Sequence, residues 1–251
     1  MVAAAAREIA NGDIVFVGMR LPLLAFLVAK CTHAPRAIGL YENGVIRETP
    51  APEMLYTMGD PPNLRGATFC GAMLDVMALL QQGRVHIGFL GAAEVDRFGN
   101  LNTTWGRREG QAIRLPGSGG ACDIASLAQR TVVLLEHEKR RLVERVAHIT
   151  SPGYGTGPAD VEGKTWRRAQ GLPERSGPSA IITTMGVLRF TSDGEAYLAS
   201  IHPGVRQEEI LNHTGWTLRL AQPLVETPAP RLAELQAMRE MDPHGFWTKA
   251  L

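Results

Sequence analysis

Four short apolar runs, at 13–18, 37–41, 85–90 and 131–135, each follow a segment of helix-forming residues. Strands separated by helices are joined by crossovers, which makes neighbouring strands parallel and lets helices cover the sheet faces. The expected fold class is therefore α/β, an open and mostly parallel sheet with crossover helices. The first helix is expected over Ala3–Ala10, stopped by Asn11-Gly12. The second, Leu21–Cys31, is nearly all apolar, carries Pro22 in its first turn and stops before Ala34-Pro35, so it should be buried on most sides. A third runs from Cys70 to Gln82 and ends at Gly83, with Met73, Leu74, Met77 and Leu80 on one face as expected core filling. A fourth follows the 116–125 glycine run and ends near Arg130.

Further along, Ile181–Thr184, Val187–Phe190 and Ala196–Ile201, with Ser192-Asp193-Gly194 between the last two, predict a small antiparallel addition. Two short helices are expected at Arg206–His213 and Arg231–Met241. Residues 47–69 hold four prolines and little periodicity, which predicts an irregular cover beside the end of the 37–41 run. Residues 151–178 contain ten Gly or Pro and read as a long irregular excursion, since strand-like segments resume after it. The whole of 1–251 is taken as one domain.

Composition narrows the function. With 26 basic against 25 acidic residues and no long basic run, nothing calls for nucleic acid or an anionic membrane as partner. Cys31, Cys70 and Cys122 are far apart and odd in number, so neither a disulfide framework nor a zinc site is expected. A cytoplasmic protein is expected, because the alanine run at the N-terminus is broken at once by Arg7 and Glu8. No lysine-containing P-loop and no GxGxxG after a strand supports a nucleotide-dependent enzyme. Gly117-Ser118-Gly119 lacks the glycine a nucleophile elbow needs two residues before its serine, where Pro116 stands. His86 lies within an apolar strand, and His137 has no i,i+4 metal partner.

The run Arg36–Ile46 carries the candidate for chemistry. It reads as a buried strand that stops at Glu42, followed by Asn43-Gly44. In a parallel sheet, reactive groups collect beyond the carboxyl ends of strands, where a rigid strand fixes the side chain and the next loop leaves room for a ligand. The plainer reading is a tight turn with Glu42 as its solvated shoulder. The small residues at 91–93 allow close approach of a ligand, and Asn102 lies in the following segment. Gly119 and Gly120, ahead of a helix, could offer backbone N–H groups to an oxyanion. The charged run 136–141 reads as an ion-paired or solvated turn, and Cys122 as a small buried residue.

Four segments in order resemble the B-type (beta) subunit of family I coenzyme A transferases, in its glutaconate CoA-transferase branch. They are Glu42-Asn43-Gly44, Gly91-Ala92-Ala93-Glu94-Val95-Asp96-Arg97-Phe98-Gly99-Asn100-Leu101-Asn102, Pro116-Gly117-Ser118-Gly119-Gly120-Ala121, and 137–141 with Thr150-Ser151-Pro152-Gly153. The likeness covers nearly the whole chain and departs at Gly18-Met19-Arg20, where a long basic side chain replaces the small residues expected. It implies a CoA-transferase-type fold and a nucleophilic role for Glu42, which would pass CoA from an acyl-CoA to a carboxylic acid, most readily a dicarboxylic one, as a glutamyl-CoA thioester. Beside it, Gly119 and Gly120 are the candidate oxyanion donors and, with Asn102, which is expected to shape the surroundings of Glu42 and not to react, make up the expected oxyanion and CoA-binding site. The likeness implies no cofactor beyond CoA as part of the substrate, no metal, and an A-type partner subunit in a hetero-oligomer. Relatives that replace this glutamate decarboxylate or hydrolyse C–C bonds of CoA thioesters. An acyl-CoA hydrolase or C–C lyase on the same scaffold, or a non-catalytic partner-binding subunit, is therefore the alternative.

Overall fold

The computed structural model describes residues 1–251 except 109, 157–165, 174–175 and 249–251. The chain falls into two units, Met1–Phe89 with Ala229–Leu251, and Leu90–Pro228. In chain order the first contains α1 (Val2–Ala6), β1 (Ile14–Phe16), α2 (Leu21–Cys31), β2 (Ile38–Tyr41), β3 (Val45–Arg47), α3 (Pro61–Leu64), β4 (Phe69–Cys70), α4 (Met73–Gln81) and β5 (Ile87–Leu90). Strands β5, β1 and β2 are parallel neighbours, and β3 and β4 continue the order antiparallel.

Helix α2 is buried from Leu21 to Lys30, as its apolar sequence demands. It lies close on β2 because Gly39 leaves room, where a Cβ would stand 2.7 Å from the Phe26 ring. Burial lowers the pKa of Lys30, and its Nζ donates to the carbonyls of Pro35, Ala37 and Glu48, which ties the end of α2 to the start of β2 and the end of β3.

Two helices differ from expectation. Helix α1 ends at Ala6, because Arg7 turns away to Glu234 and the Asp13 carboxylate takes the Ala10 N–H at 2.9 Å. Helix α4 begins at Met73, since Cys70 belongs to β4 and Asp75 caps the Ala72 N–H at 2.7 Å. Its buried residues are Val76 and Leu80, whereas Met73 is 57% and Leu74 75% exposed. The core stripe is thus rotated from the expected one, and only Leu80 of the named four is buried.

The second unit contains β6 (Glu94–Asp96), β7 (Leu101–Asn102), β8 (Trp105–Arg108), β9 (Gln111–Arg114), α5 (Ala121–Leu127), β10 (Arg130–Leu135), β11 (Leu142–Val143), α6 (Trp166–Ala169), β12 (Pro178–Thr183), β13 (Gly186–Phe190), β14 (Ala196–Ile201), α7 (Gln207–Asn212) and β15 (Arg219–Glu226). Strand β10 pairs in parallel with β12, and β12, β13 and β14 form the expected antiparallel addition. Strand β15, parallel to β14, was not expected. It is outermost and mostly exposed, so it lacks apolar alternation, and it accommodates Pro223 as an edge strand can. Small sheets β11-β6-β7 and β8-β9 complete the unit. Parts of the 151–178 excursion lie outside the described residues. The chain re-enters the first unit through α8 (Leu232–Met241), which packs against α2. Among the described residues no helix is long and apolar enough to cross a membrane.

Candidate active site

Glu42 begins the three-residue turn between β2 and β3. The turn is closed by Gly44 N–H donating to Tyr41 O at 2.9 Å, and Gly44 takes φ +97°, open to glycine and strained for other residues. The Gly71 N–H in turn donates to Gly44 O at 3.0 Å. A Cβ on Gly44 would stand 2.2 Å from the Gly71 carbonyl oxygen, so this turn requires glycine for space as well as for φ. Glu42 is half-buried at the carboxyl end of a strand paired on both sides, and Asn43 beside it is exposed. The turn is tight, and the Glu42 carboxylate sits half-buried at the strand end instead of as a fully solvated shoulder.

The cover at 49–66 is attached to this turn by side chains. Asn43 Nδ2 donates to Met58 O at 2.8 Å, and buried Asn63 Nδ2 reaches the same carbonyl at 2.7 Å. Arg47, 2% exposed at the end of β3, donates to the carbonyls of Thr49, Pro50, Asn63 and Arg65, with a longer contact to Pro62. Its charge is spread over backbone dipoles instead of a carboxylate, and it fixes both ends of the cover against the strand. Tyr41, next to Glu42, points into the core, where burial pushes its phenol well above the usual range. It is thus a packing residue and not a proton donor.

Asn102, Gly119 and Gly120 lie in the second unit. Asn102 is fully buried: Nδ2 donates to Glu94 Oε2 at 2.8 Å and to Trp105 O at 2.6 Å, while Oδ1 accepts from the Thr104 and Trp105 N–H groups. Its amide thus shapes the β7–β8 corner. This corner meets the glycine run, since Gly117 N–H donates to Thr103 O at 2.8 Å and Leu115 N–H to Thr104 O at 2.9 Å. Gly119 is exposed with φ +50°, and Gly120 is the buried residue that caps α5, its carbonyl accepting from Ile124 N–H at 3.0 Å. Cys122 is half-exposed, not buried as expected.

The contacts of three groups in this unit were not readable from the sequence. Asp96, 1% exposed, accepts from the Phe98, Asn100 and Val146 N–H groups and from the Asn100 amide, whose Oδ1 binds the Gly153 and Gly155 N–H groups. Burial raises the Asp96 carboxyl even against these donors. The Asp-Arg-Phe-Gly-Asn segment is thereby a knot to the 153–155 loop. Arg167, 1% exposed, donates to Ala125 O and Ser126 O at the end of α5, to Pro152 O and Gly153 O, and to Ser176 Oγ. It holds the helix that the glycine turn opens. Within the charged run, Arg141 pairs with Glu136 and Glu138, as an ion-paired turn requires, but His137 is buried between the Thr183 and Thr214 hydroxyls at 2.9 and 3.0 Å. Among the described residues no group of His, Cys, Asp and Glu is placed to hold a metal ion.

The coenzyme A transferase family pattern matches residues 1–213. The chain is 39% identical over 245 residues to the B-type subunit of the 3-oxoadipate CoA-transferase of Pseudomonas knackmussii, covering 96% of this chain and 91% of the relative. Its fold superposes on the crystal structure of glutaconate coenzyme A-transferase from Acidaminococcus fermentans with a TM-score of 0.88 at 30% identity, covering 98% of this chain and 95% of the other. The decarboxylase AibA/AibB is also similar, with a TM-score of 0.82 at 27% identity over 99% of this chain and 95% of the other. The chain belongs to the coenzyme A transferase family.

Proposed function

We propose that this chain is the B-type subunit of a heteromeric CoA-transferase in which Glu42 relays CoA between two carboxylic acids. The observation that carries this reading is a glutamate held at the carboxyl end of β2 by a turn that only glycine can close. A carboxylate is a weak nucleophile in water, and partial burial beside a rigid strand strips part of its hydration and fixes its approach. A Glu42 oxygen attacks the thioester carbonyl of the acyl-CoA, and the CoA thiolate leaves, which gives a mixed anhydride. The thiolate then attacks the glutamyl carbonyl carbon and expels the first acid as its carboxylate, leaving glutamyl-CoA. An acceptor carboxylate runs the two steps in reverse, and Glu42 is regenerated. Across the whole cycle one thioester replaces another, so no ATP is needed, and the carboxylates and the CoA thiolate carry each step without a metal.

Gly119 and Gly120 are the proposed backbone donors to the tetrahedral oxyanions, and Asn102 acts by shaping the segment that leads to them. The substrates we infer are an acyl-CoA and a dicarboxylic acid, in line with the two transferases it resembles. An A-type subunit completes the enzyme, and the interface should exceed about 1,000 Å². Similarity to a decarboxylase makes the second outcome concrete. The test is to assemble the chain with an A-type subunit, supply radiolabelled acyl-CoA and add a dicarboxylic acid. Label in a new acyl-CoA supports transfer, whereas free CoA without a new thioester supports hydrolysis or C–C cleavage. Transfer by the isolated chain at an undiminished rate would contradict the heteromer.

A further inference from the structure

Phe16 of β1 pairs with Leu40 of β2, and Val17 N–H donates to Leu40 O at 2.9 Å. Continued by two residues, this parallel register brings the chain at Gly18 level with Glu42, and Arg20 follows in the loop that leaves the same edge. Arg20 is exposed and, among the described residues, is the only non-glycine residue with positive φ, at +66°. Its guanidinium lies 5.8 Å from the ring centre of Trp247 and has no hydrogen bond or ion pair among the described residues. Arg7, Arg47 and Arg65 in the same unit are engaged, Arg7 on Glu234, Arg65 on Glu53 and Arg47 on its carbonyls.

The platform beneath Arg20 is built. Asp242, 5% exposed, accepts from the Phe246, Trp247 and Thr248 N–H groups, and Trp247 Nε1 donates to Leu55 O at 3.2 Å. Phe246 packs edge-on against Trp247 at 4.6 Å and against Tyr56 at 4.8 Å, with Tyr56 and Phe246 each about half exposed. Leu55 and Tyr56 belong to the cover that Asn43 fastens to the Glu42 turn. The result is an aromatic shelf ending in an open guanidinium, along the edge that carries the nucleophile. An apolar chain with an anion at its far end fits such a shelf, and a planar fork fits a carboxylate.

We propose that Arg20, mounted on Trp247, is the specificity residue that binds the distal carboxylate of a dicarboxylic acyl group or acceptor acid. This rests on Glu42 as the reacting group. It also accounts for a long basic side chain in a strained loop where the family likeness led us to expect small residues.

The test uses the assembled enzyme with Arg20→Gln, Arg20→Lys and Trp247→Leu. Values of kcat/KM are measured for straight-chain dicarboxylic acceptors and for monocarboxylic acids of equal length. Arg20→Gln should lower the dicarboxylate-to-monocarboxylate ratio by about 10- to 100-fold, chiefly through KM, with Arg20→Lys in between and Trp247→Leu in the same direction. An unchanged ratio would overturn the proposal. So would an equal loss for every acyl-CoA, acetyl-CoA included, which would put Arg20 on the CoA phosphates. If the wild-type enzyme transfers CoA to no acid, the transferase reading fails separately. Calorimetric binding of adipate against hexanoate, wild type against Arg20→Gln, then decides the role of Arg20 without turnover: loss of adipate preference supports it and retention contradicts it.

Discussion

The Asn43 side-chain amide donates to the Met58 carbonyl over 2.8 Å, which couples the residue after Glu42 to the middle of the 49–66 cover. Asn43 is exposed, so the bond adds little to global stability, yet it sets the wall beside Glu42, the proposed nucleophile. Asn43→Ala should cost less than about 1.5 kcal/mol in urea denaturation. Turnover of the assembled enzyme should nonetheless fall about tenfold or more, because small misplacements around a reacting group are amplified in rate. A loss of stability with full activity would show that the contact only braces the fold.

Two glycines separate strain from space. Gly44 has φ +97° and a carbonyl oxygen 2.2 Å from where its Cβ would lie, whereas Gly66 has φ +69° and nothing within 4 Å. Gly66→Ala should cost about 1 kcal/mol from backbone conformation alone. Gly44→Ala should cost about 2–4 kcal/mol, since the 71–72 backbone must also move. Equal losses in denaturant titrations would mean that the Gly44–Gly71 contact yields easily.

His137 predicts how stability follows pH. Burial between Thr183 and Thr214 lowers its pKa from 6.5 to about 4. The unfolded chain therefore binds more protons than the folded one between about pH 4 and 6.5, so stability rises with pH across that window and is lost as pH falls through it. The full effect is about 3 kcal/mol. His137→Gln should flatten that part of the curve, measured as unfolding free energy at half-unit steps. An unaltered slope would assign the acid sensitivity to other groups.

The strand and helix rhythm was legible because buried elements write their period into the chain: α2 has its expected bounds, and the parallel core of β1, β2 and β5 follows from apolar runs. Strand β15 left no such trace, being exposed on its edge. The buried face of α4 differs from the expected one because Met73 and Leu74 share helical spacing with buried Leu80 without sharing its burial. The position of Glu42 at a strand end before a glycine turn was legible from an apolar run, a carboxylate and Asn-Gly in sequence, while its proposed role rests on the family likeness. The contacts of Arg47, Arg167 and Asn43 were not legible, because their partners are chiefly backbone carbonyls, whose residue types carry no signal. Arg20 was visible only as a departure, and Trp247 beneath it comes from the other end of the chain.

The central claim is that Glu42 becomes covalently bonded to CoA, and mass spectrometry of the assembled enzyme tests it most directly. With acyl-CoA present and acceptor acid withheld, the peptide containing Glu42 should carry a thioester that hydroxylamine traps and borohydride reduces. Glu42→Gln, which removes the anionic nucleophile at nearly constant volume, should fold and assemble but form no adduct and transfer no CoA. A thioester on any other residue, or a Glu42→Gln enzyme that transfers CoA at the wild-type rate, would contradict the account.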